Sequence, residues 1–424
     1  MRCNYKVIPL IMCLLLPMLL LAGCYDKKEL DYMAYPLVMG LDRSASGGLL
    51  MSLHIPTPIT IAGGEGGSGG KESSSIMSVD CTSITTGLTA LNSTISKEIN
   101  ISHVETLVIS RELAEEGIFQ YVNSLVRIRR FRPDVFVIIS EDKAYKYLEN
   151  IIPRLENNTA KYFELLMDNS YTSIFPKTTL DVITDCLYCE GKQPVVALSD
   201  IGKYETAEEL DDSAATEAFT LNSEFNSDAR DLAVAAQKNN IVMGLAVFRN
   251  GKMVGTCNGA ETICYQMLTG GFRQTTWAIP DYKQDGGIIV LLVTESRKPL
   301  IRITKNESNA AINIGLELEC DLLSVQGNQY IEYSPEIIQE TFKEVIKNNI
   351  EKFLKRTRDD FDSDICGFGR YLKSKFLTWD EWKSYNWYDK YKNTTFTVDV
   401  GVKLRRTGLI VNEEADGLTD QERR

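Results

Sequence analysis

Asp134-Val135-Phe136-Val137-Ile138-Ile139-Ser140 is the stretch from which the fold can be read. Val135 to Ile139 carry no polar residue, so both faces of this strand need cover and its place is the centre of a sheet. The neighbours supply the cover. Upstream, His103 to Ser110 reads as a buried strand through Val104, Leu107, Val108 and Ile109, and Arg111 to Ile118 turns into helix running on through Tyr121, Leu125 and Val126. Arg127, Arg129, Arg130 and Arg132 suit the negative end of a helix dipole, and Pro133 stops the helix. Downstream, helices are expected near Lys143–Leu148, Thr159–Met167 and Thr179–Cys189, then a strand at Pro194–Ser199.

In front of this alternation, Ala34 to Asp42 and Leu49 to Ile55 read as a hairpin around Ser46-Gly47-Gly48. The glycine-rich run from Gly63 to Gly70 lacks the GK[ST] of a phosphate loop and reads as a flexible connection to a strand near Ile76–Val79. Ile84, Leu88, Leu91, Ile95 and Ile99 then share one face of a predicted helix. These elements make an α/β or α+β domain ending near residue 200.

Residues 201–239 are acidic, with Glu205, Glu208, Glu209, Asp211, Asp212, Glu217 and Glu224, and read as a linker or exposed insertion. Order returns at Ile241–Phe248. Asn250-Gly251 marks a two-residue type I′ turn into Met253–Thr256, because both positions tolerate positive φ. A short helix at Ala260–Leu268 and strands at Phe272–Ile279, Gly287–Thr294, Leu300–Thr304 and Ala311–Leu323 follow, each with one solvated face. The best-specified helix opens at Ser334-Pro335-Glu336: an N-cap, a residue preorganised for the first turn, and an acid at the positive dipole end. Its expected apolar face is Ile337, Ile338, Phe342, Val345, Ile346, Phe353 and Leu354, and a last strand runs from Thr395 to Arg405.

At 424 residues the chain exceeds one core. The expected organisation is α+β and multi-domain: three mixed α/β domains with largely antiparallel or mixed sheets, after a cleaved lipoprotein signal peptide. The boundaries are 1–23 signal peptide, 24–200 N-terminal domain, 201–239 acidic linker, 240–296 middle domain with the hairpin, 297–412 C-terminal domain and 413–424 polar tail.

The N-terminus supports that first boundary. Val7 to Ala22 is apolar but shorter than a spanning helix and broken by Pro9 and Pro17, with Arg2 and Lys6 as a basic n-region. Leu21-Ala22-Gly23-Cys24 resembles a bacterial lipobox, which makes Cys24 the acceptor of a diacylglyceryl group after cleavage. Losing Arg2 and Lys6 lowers the net charge by two, from −12 to −14. So acidic a body is a poor partner for nucleic acid and is weakly repelled by anionic headgroups, leaving lipidation as its hold on a membrane.

Little chemistry is visible. The two histidines, His54 and His103, each fall in an expected strand, which removes most triads and metal sites. Of ten cysteines, seven remain besides Cys3, Cys13 and Cys24. Cys186-Leu-Tyr-Cys189 is the close pair, late in a predicted helix and structural. Asp359, Asp360, Asp362 and Asp364 fit a calcium loop poorly and read as a solvated acidic turn. Trp379, Trp382, Tyr385, Trp387, Tyr388 and Tyr391 read as packing of the last helix on the final strand. No catalytic or metal residues, and no cofactor beyond the lipid on Cys24, are expected.

Four stretches resemble one family, the Ger(x)C spore germination lipoproteins. Gly23-Cys24-Tyr25-Asp26-Lys27-Lys28-Glu29-Leu30 resembles the family's GCWDRREL. Ser102-His103-Val104-Glu105 with Arg111 to Ile118 is the second stretch, and Gly244 to Gly255 is the third. The fourth is Asp364-Ile365-Cys366-Gly367-Phe368-Gly369 with Trp382, Asn386-Trp387 and Val400 to Leu409. Tyr25 replaces the usual tryptophan and Lys27-Lys28 the usual arginines. The resemblance implies a non-enzymatic, lipid-anchored C subunit of a spore germinant receptor on the outer face of the spore inner membrane. It would act with integral-membrane A and B subunits in nutrient-triggered germination. The competing class, a lipid-anchored extracytoplasmic solute-binding protein, would need two βαβ lobes around a cleft, whereas 241–325 reads as meandering antiparallel strands.

Overall fold

The structure, a computed structural model, describes residues 29–56, 74–152, 155–156, 159–168, 173–203, 208–209, 222–226, 229, 232, 240–283, 286–305, 309–326 and 334–407. Cys24, the glycine-rich run, most of the acidic stretch and the polar tail lie outside these residues.

The first sheet starts with the hairpin β1 (Val38–Arg43) and β2 (Leu49–Pro56), followed by β3 (Ser74–Cys81), α1 (Ile84–Asn92) and β4 (Thr106–Ser110). Then come α2 (Arg111–Glu116), α3 (Phe119–Arg127), β5 (Phe136–Ser140), α4 (Ala144–Glu149), α5 (Thr159–Met167), α6 (Leu180–Tyr188) and β6 (Val195–Ile201). The hairpin β7 (Asn240–Arg249) and β8 (Lys252–Cys257) completes it, in the order β8-β7-β6-β5-β4-β1-β2-β3. Strands β6, β5, β4 and β1 run parallel to one another, and the pairs outside them, β8-β7, β7-β6, β1-β2 and β2-β3, are antiparallel.

The stretch that opened the reading forms β5, well inside the sheet, and its alternation divides two cores. Phe136 and Ile138 join Val38, Val108 and Ala197 under α4 and α5. Val137 and Ile139 point the other way and join Leu107, Ile109, Val196 and Leu198 under α1, α2, α3 and α6. Burial on both faces is why the strand shows no polar residue, and each such aliphatic side chain stabilises the fold by about 1.5–3 kcal/mol. Asp42, wholly buried on β1, accepts from the Ala144 and Tyr145 N–H groups at 2.6 and 2.9 Å and so caps α4 from another element.

A second sheet, β9-β10-β11-β12, is built from β9 (Gln274–Pro280), β10 (Ile288–Lys305), β11 (Ala310–Gln326) and β12 (Thr395–Arg406), the last pair parallel. Between β8 and β9 lies α7 (Gly259–Thr269), and α8 (Pro335–Asp359) follows β11, with the short helices α9 (Phe368–Lys373), α10 (Trp379–Tyr385) and α11 (Trp387–Lys390) before β12. Asn258 and Glu261 close a capping box on α7, and Gly270 at φ 72° ends it. Gly259 to Leu268 of α7 are almost all buried, because one side meets Leu245 and Val247 of the first sheet and the other meets the second sheet and α8.

Hydrogen bonding departs from the order of the expected segments. The 240–257 hairpin, expected to open a middle domain, pairs through β7 with β6 of the first sheet, while β9 and β10 belong to the second. Asn250 and Gly251 have φ of 50° and 78°, as the type I′ turn requires. Strands expected at 287–294 and 300–304 are one strand, β10, and Pro299 falls between register shifts, where no ladder N–H is needed.

Other boundaries move for local reasons. Helix α1 ends at Asn92 because the Ser93 and Thr94 hydroxyls donate to the Ala90 and Leu91 carbonyls at 2.7 and 2.8 Å, and Ile99 lies in a two-residue strand instead. The helix expected from Arg111 to Val126 is broken at Gly117, φ 132°, where the Ile118 N–H bonds to the Gly251 carbonyl. His103 sits in a 3-10 turn rather than a strand. On α8 the buried face is Ile338, Phe342, Ile346, Ile350, Phe353, Leu354 and Thr357, and Ile337 is exposed. Ser334 stands at the N-cap but donates its hydroxyl to Glu336 rather than accepting from the helix. Asn222, buried within the acidic stretch, exchanges two hydrogen bonds with Ala278 on the edge strand β9.

Candidate functional site

The seam where the two sheets meet is organised by the acidic run that follows α8, and half of that run is not solvated. Asp364 is 1% exposed. Its Oδ1 accepts from the backbone N–H groups of Gly367 and Phe368 at 2.8 and 3.0 Å, and its Oδ2 from Gly369 N–H and Trp387 Nε1 at 2.7 and 2.8 Å. Burial pushes this carboxyl above the usual range, and the four N–H donors pull it back. Asp362 is 8% exposed, in the left-handed region at φ 47°, and lies 2.7 Å from Arg249 and 3.1 Å from Lys392. The expectation of a solvated acidic turn holds for Asp359 and Asp360, both exposed, and fails for Asp362 and Asp364, which sit among Phe361, Ile365, Cys366 and Phe368.

This loop is tied to the first sheet by backbone as well as side chains. The Asp364 carbonyl accepts from Gln193 N–H, whose side-chain oxygen in turn accepts from Asn250 N–H at the β7–β8 turn. Ser363 Oγ donates to the Phe248 carbonyl at 2.7 Å, and Arg370 N–H to the Gly191 carbonyl at 3.1 Å. Gly191 N–H donates to the Tyr388 hydroxyl, and Trp382 Nε1 to Glu190, each at 2.9 Å. Two glycines let the chains come this close: a Cβ on Gly369 would stand 2.5 Å from Trp387, and one on Gly191 would stand 2.9 Å from Arg370 N. Trp382, Tyr385, Trp387 and Tyr391 are buried, so the aromatic stretch packs as expected, with Trp379 left half-exposed.

Beside the seam a cleft of about 380 Å³ opens between α6, α7 and the segment 173–178. Lys177, Lys192 and Arg273 reach it, with Asp168 as an acidic residue and Phe175, Val182 and Val195 as apolar wall. Asp168 is paired to Lys177. Lys192 Nζ lies 3.3 Å from the Tyr265 hydroxyl, and the neighbouring Tyr265 holds its pKa above the ordinary lysine value.

The expected site residues fall in different places. Cys24 lies outside the described residues. Cys186 is buried on α6, its thiol pushed up by burial, and Cys189 is exposed at the C-cap of that helix, so the two are free thiols in unlike surroundings. His54 is buried on β2, and burial pushes its pKa below the ordinary value. Among the described residues no group of three or more His, Cys, Asp or Glu could hold a metal ion. Asp364 and Lys192 were missed as focal residues. The signal for Asp364 is an acid followed directly by the apolar Ile365-Cys366 and then Gly367-Phe368-Gly369, whereas Lys192 carries no local signal.

Cys189 is the exposed thiol among the described cysteines, and a hydrogen bond to Asp185 raises its pKa. A thiol reagent on the folded protein is expected to modify Cys189 first, more slowly than a free thiol, with the buried cysteines reacting only after unfolding. Peptide mapping checks this. A fast phase that persists in Cys189→Ser would contradict it.

Two family models match in order: "Spore germination protein N-terminal domain" over residues 26–201, and "Spore germination B3/ GerAC like, C-terminal" over residues 243–408. Spore germination protein KC of Bacillus subtilis (strain 168) is 31% identical over 144 residues, 33% of this chain and 35% of that protein. That alignment therefore spans about a third of the relative's length. Spore germination protein GerQC of Bacillus cereus is 20% identical over 403 residues, 92% of this chain and 96% of that protein. The crystal structure of the GerBC protein superposes with a TM-score of 0.50 at 11% identity, covering 86% of this chain and 96% of that one, a likeness of fold.

Proposed function

The chain belongs to the GerAC-like family of spore germination proteins, and from that premise we propose that it is the lipid-anchored C subunit of a spore germinant receptor. In this reading it is held on the outer face of the spore inner membrane and works with integral-membrane A and B subunits when a nutrient triggers germination. The observation that carries the reading is the pair of family matches, in order, over 26–201 and 243–408.

The physical chemistry is compatible with a subunit that transmits rather than catalyses. The most buried carboxylate of the seam, Asp364, is taken up by four N–H donors and has no lone pair free for proton transfer. Among the described residues no helix is long and apolar enough to cross a membrane. Attachment would come from the acyl chains on Cys24, at about 0.8 kcal/mol per buried methylene, where two chains hold stably and one does not.

Acyl labelling in the sporulating cell tests the anchor. The wild-type chain should incorporate labelled fatty acid and lose residues 1–23, and Cys24→Ala should do neither. A Cys24→Ala chain that still matures at this point and carries label would refute lipidation at Cys24.

A further inference from the structure

We propose that the cleft between α6, α7 and the segment 173–178 is a binding site for a small carboxylate with an apolar body, its carboxylate received by Lys192 and Arg273. The proposal goes beyond the receptor reading and does not depend on it.

The chain carries 58 acidic against 46 basic residues, so a cation has carboxylates to pair with almost anywhere on the surface. Arginines 127, 129, 297, 302 and 406 are exposed to water and have no ion pair among the described residues, while arginines 43, 111, 130, 132, 249, 356, 358, 370 and 405 do pair. Lys192 and Arg273 do not: among the described residues neither makes an ion pair, and the Lys192 ammonium has one hydrogen-bond partner, the Tyr265 hydroxyl at 3.3 Å. Lys192 is half-buried beside the 5%-exposed Tyr265, in surroundings where an unpaired ammonium is costly unless an anion or water meets it. Asp168, the carboxylate of the lining, is already bound to Lys177, which leaves the cleft with a surplus of positive charge.

The rest of the lining sets the class of ligand. Phe175, Val182 and Val195 form an apolar wall, and Gln266 is held in place by its bond to the Phe175 carbonyl at 2.9 Å. About 380 Å³ lies within the range of small-molecule sites, which combine apolar walls with a few placed polar groups. An ion such as phosphate would use the cations and leave the wall unfilled, whereas a carboxylate on an apolar body uses both.

Titration of the purified full-length protein in detergent with benzoate, benzamide and inorganic phosphate tests the site. Saturable binding of one benzoate per chain is expected, with benzamide and phosphate each at least about tenfold weaker. Lys192→Met and Arg273→Gln should each weaken benzoate by about tenfold or more, and Lys192→Arg should restore most of it. Arg273 is exposed, so Arg273→Gln keeps the test open should Lys192→Met fail to fold. No saturable benzoate binding up to about 10 mM would overturn the proposal. So would benzamide or phosphate binding as tightly as benzoate, or affinity unchanged in Arg273→Gln.

Discussion

Asp364→Ala is expected to destabilise the protein by about 3–5 kcal/mol, the cost of breaking a buried, charge-centred network by removing one partner. The variant leaves three backbone N–H groups and the Trp387 indole N–H without their acceptor in a region closed to solvent. Asp364→Asn keeps the volume but puts an NH₂ group where N–H donors already point, so it should recover only part of the loss. The denaturant midpoint of each variant, at unchanged m-value, measures this. A loss below about 1 kcal/mol for Asp364→Ala would mean that the seam is held by something other than this carboxylate.

Gly191→Ala is expected to cost about 2–5 kcal/mol, combining a disfavoured backbone with a steric clash. Gly191 sits at φ 107°, and its Cβ would stand 2.9 Å from both the Arg370 nitrogen and the Gly369 carbonyl carbon, backbone atoms that cannot rotate away. Gly47→Ala is the control: its φ is 90°, but nothing lies within 4 Å of the added Cβ, so only the backbone penalty of about 1–2 kcal/mol should remain. Because Gly191 and Asp364 hold the same loop against the first sheet, the double variant should lose less than the two singles together. Equal effects of Gly191→Ala and Gly47→Ala would show that close approach at the seam is not under constraint.

What could be read in advance was what rests on local pattern. The apolar run at 135–139 identified β5 because burial on both faces leaves a signature within five residues. The Asn250-Gly251 turn and the span of α5 followed in the same way from backbone chemistry and periodicity. Sheet membership was not local: nothing in 240–257 states that its partner is β6 rather than β9, because an antiparallel strand looks alike on either edge. Helix α1 outran its true end because the apolar spacing continues to Ile99, while Ser93 and Thr94 compete for the last carbonyls. Asp364 was misread because acidic clusters are usually solvated, and its burial depends on Trp387 and Gly369, brought in by tertiary packing. Lys192 is the extreme case, since its significance lies in which carboxylates are not beside it.

The central claim is that this chain serves as the C subunit of a membrane receptor, and crosslinking in intact spores tests it most directly. Affinity capture of the crosslinked wild-type protein, followed by mass spectrometry, should recover two integral-membrane germinant-receptor subunits, and recovery should fall sharply for Cys24→Ala. Capture of the protein from the spore membrane with neither integral-membrane subunit would contradict the account.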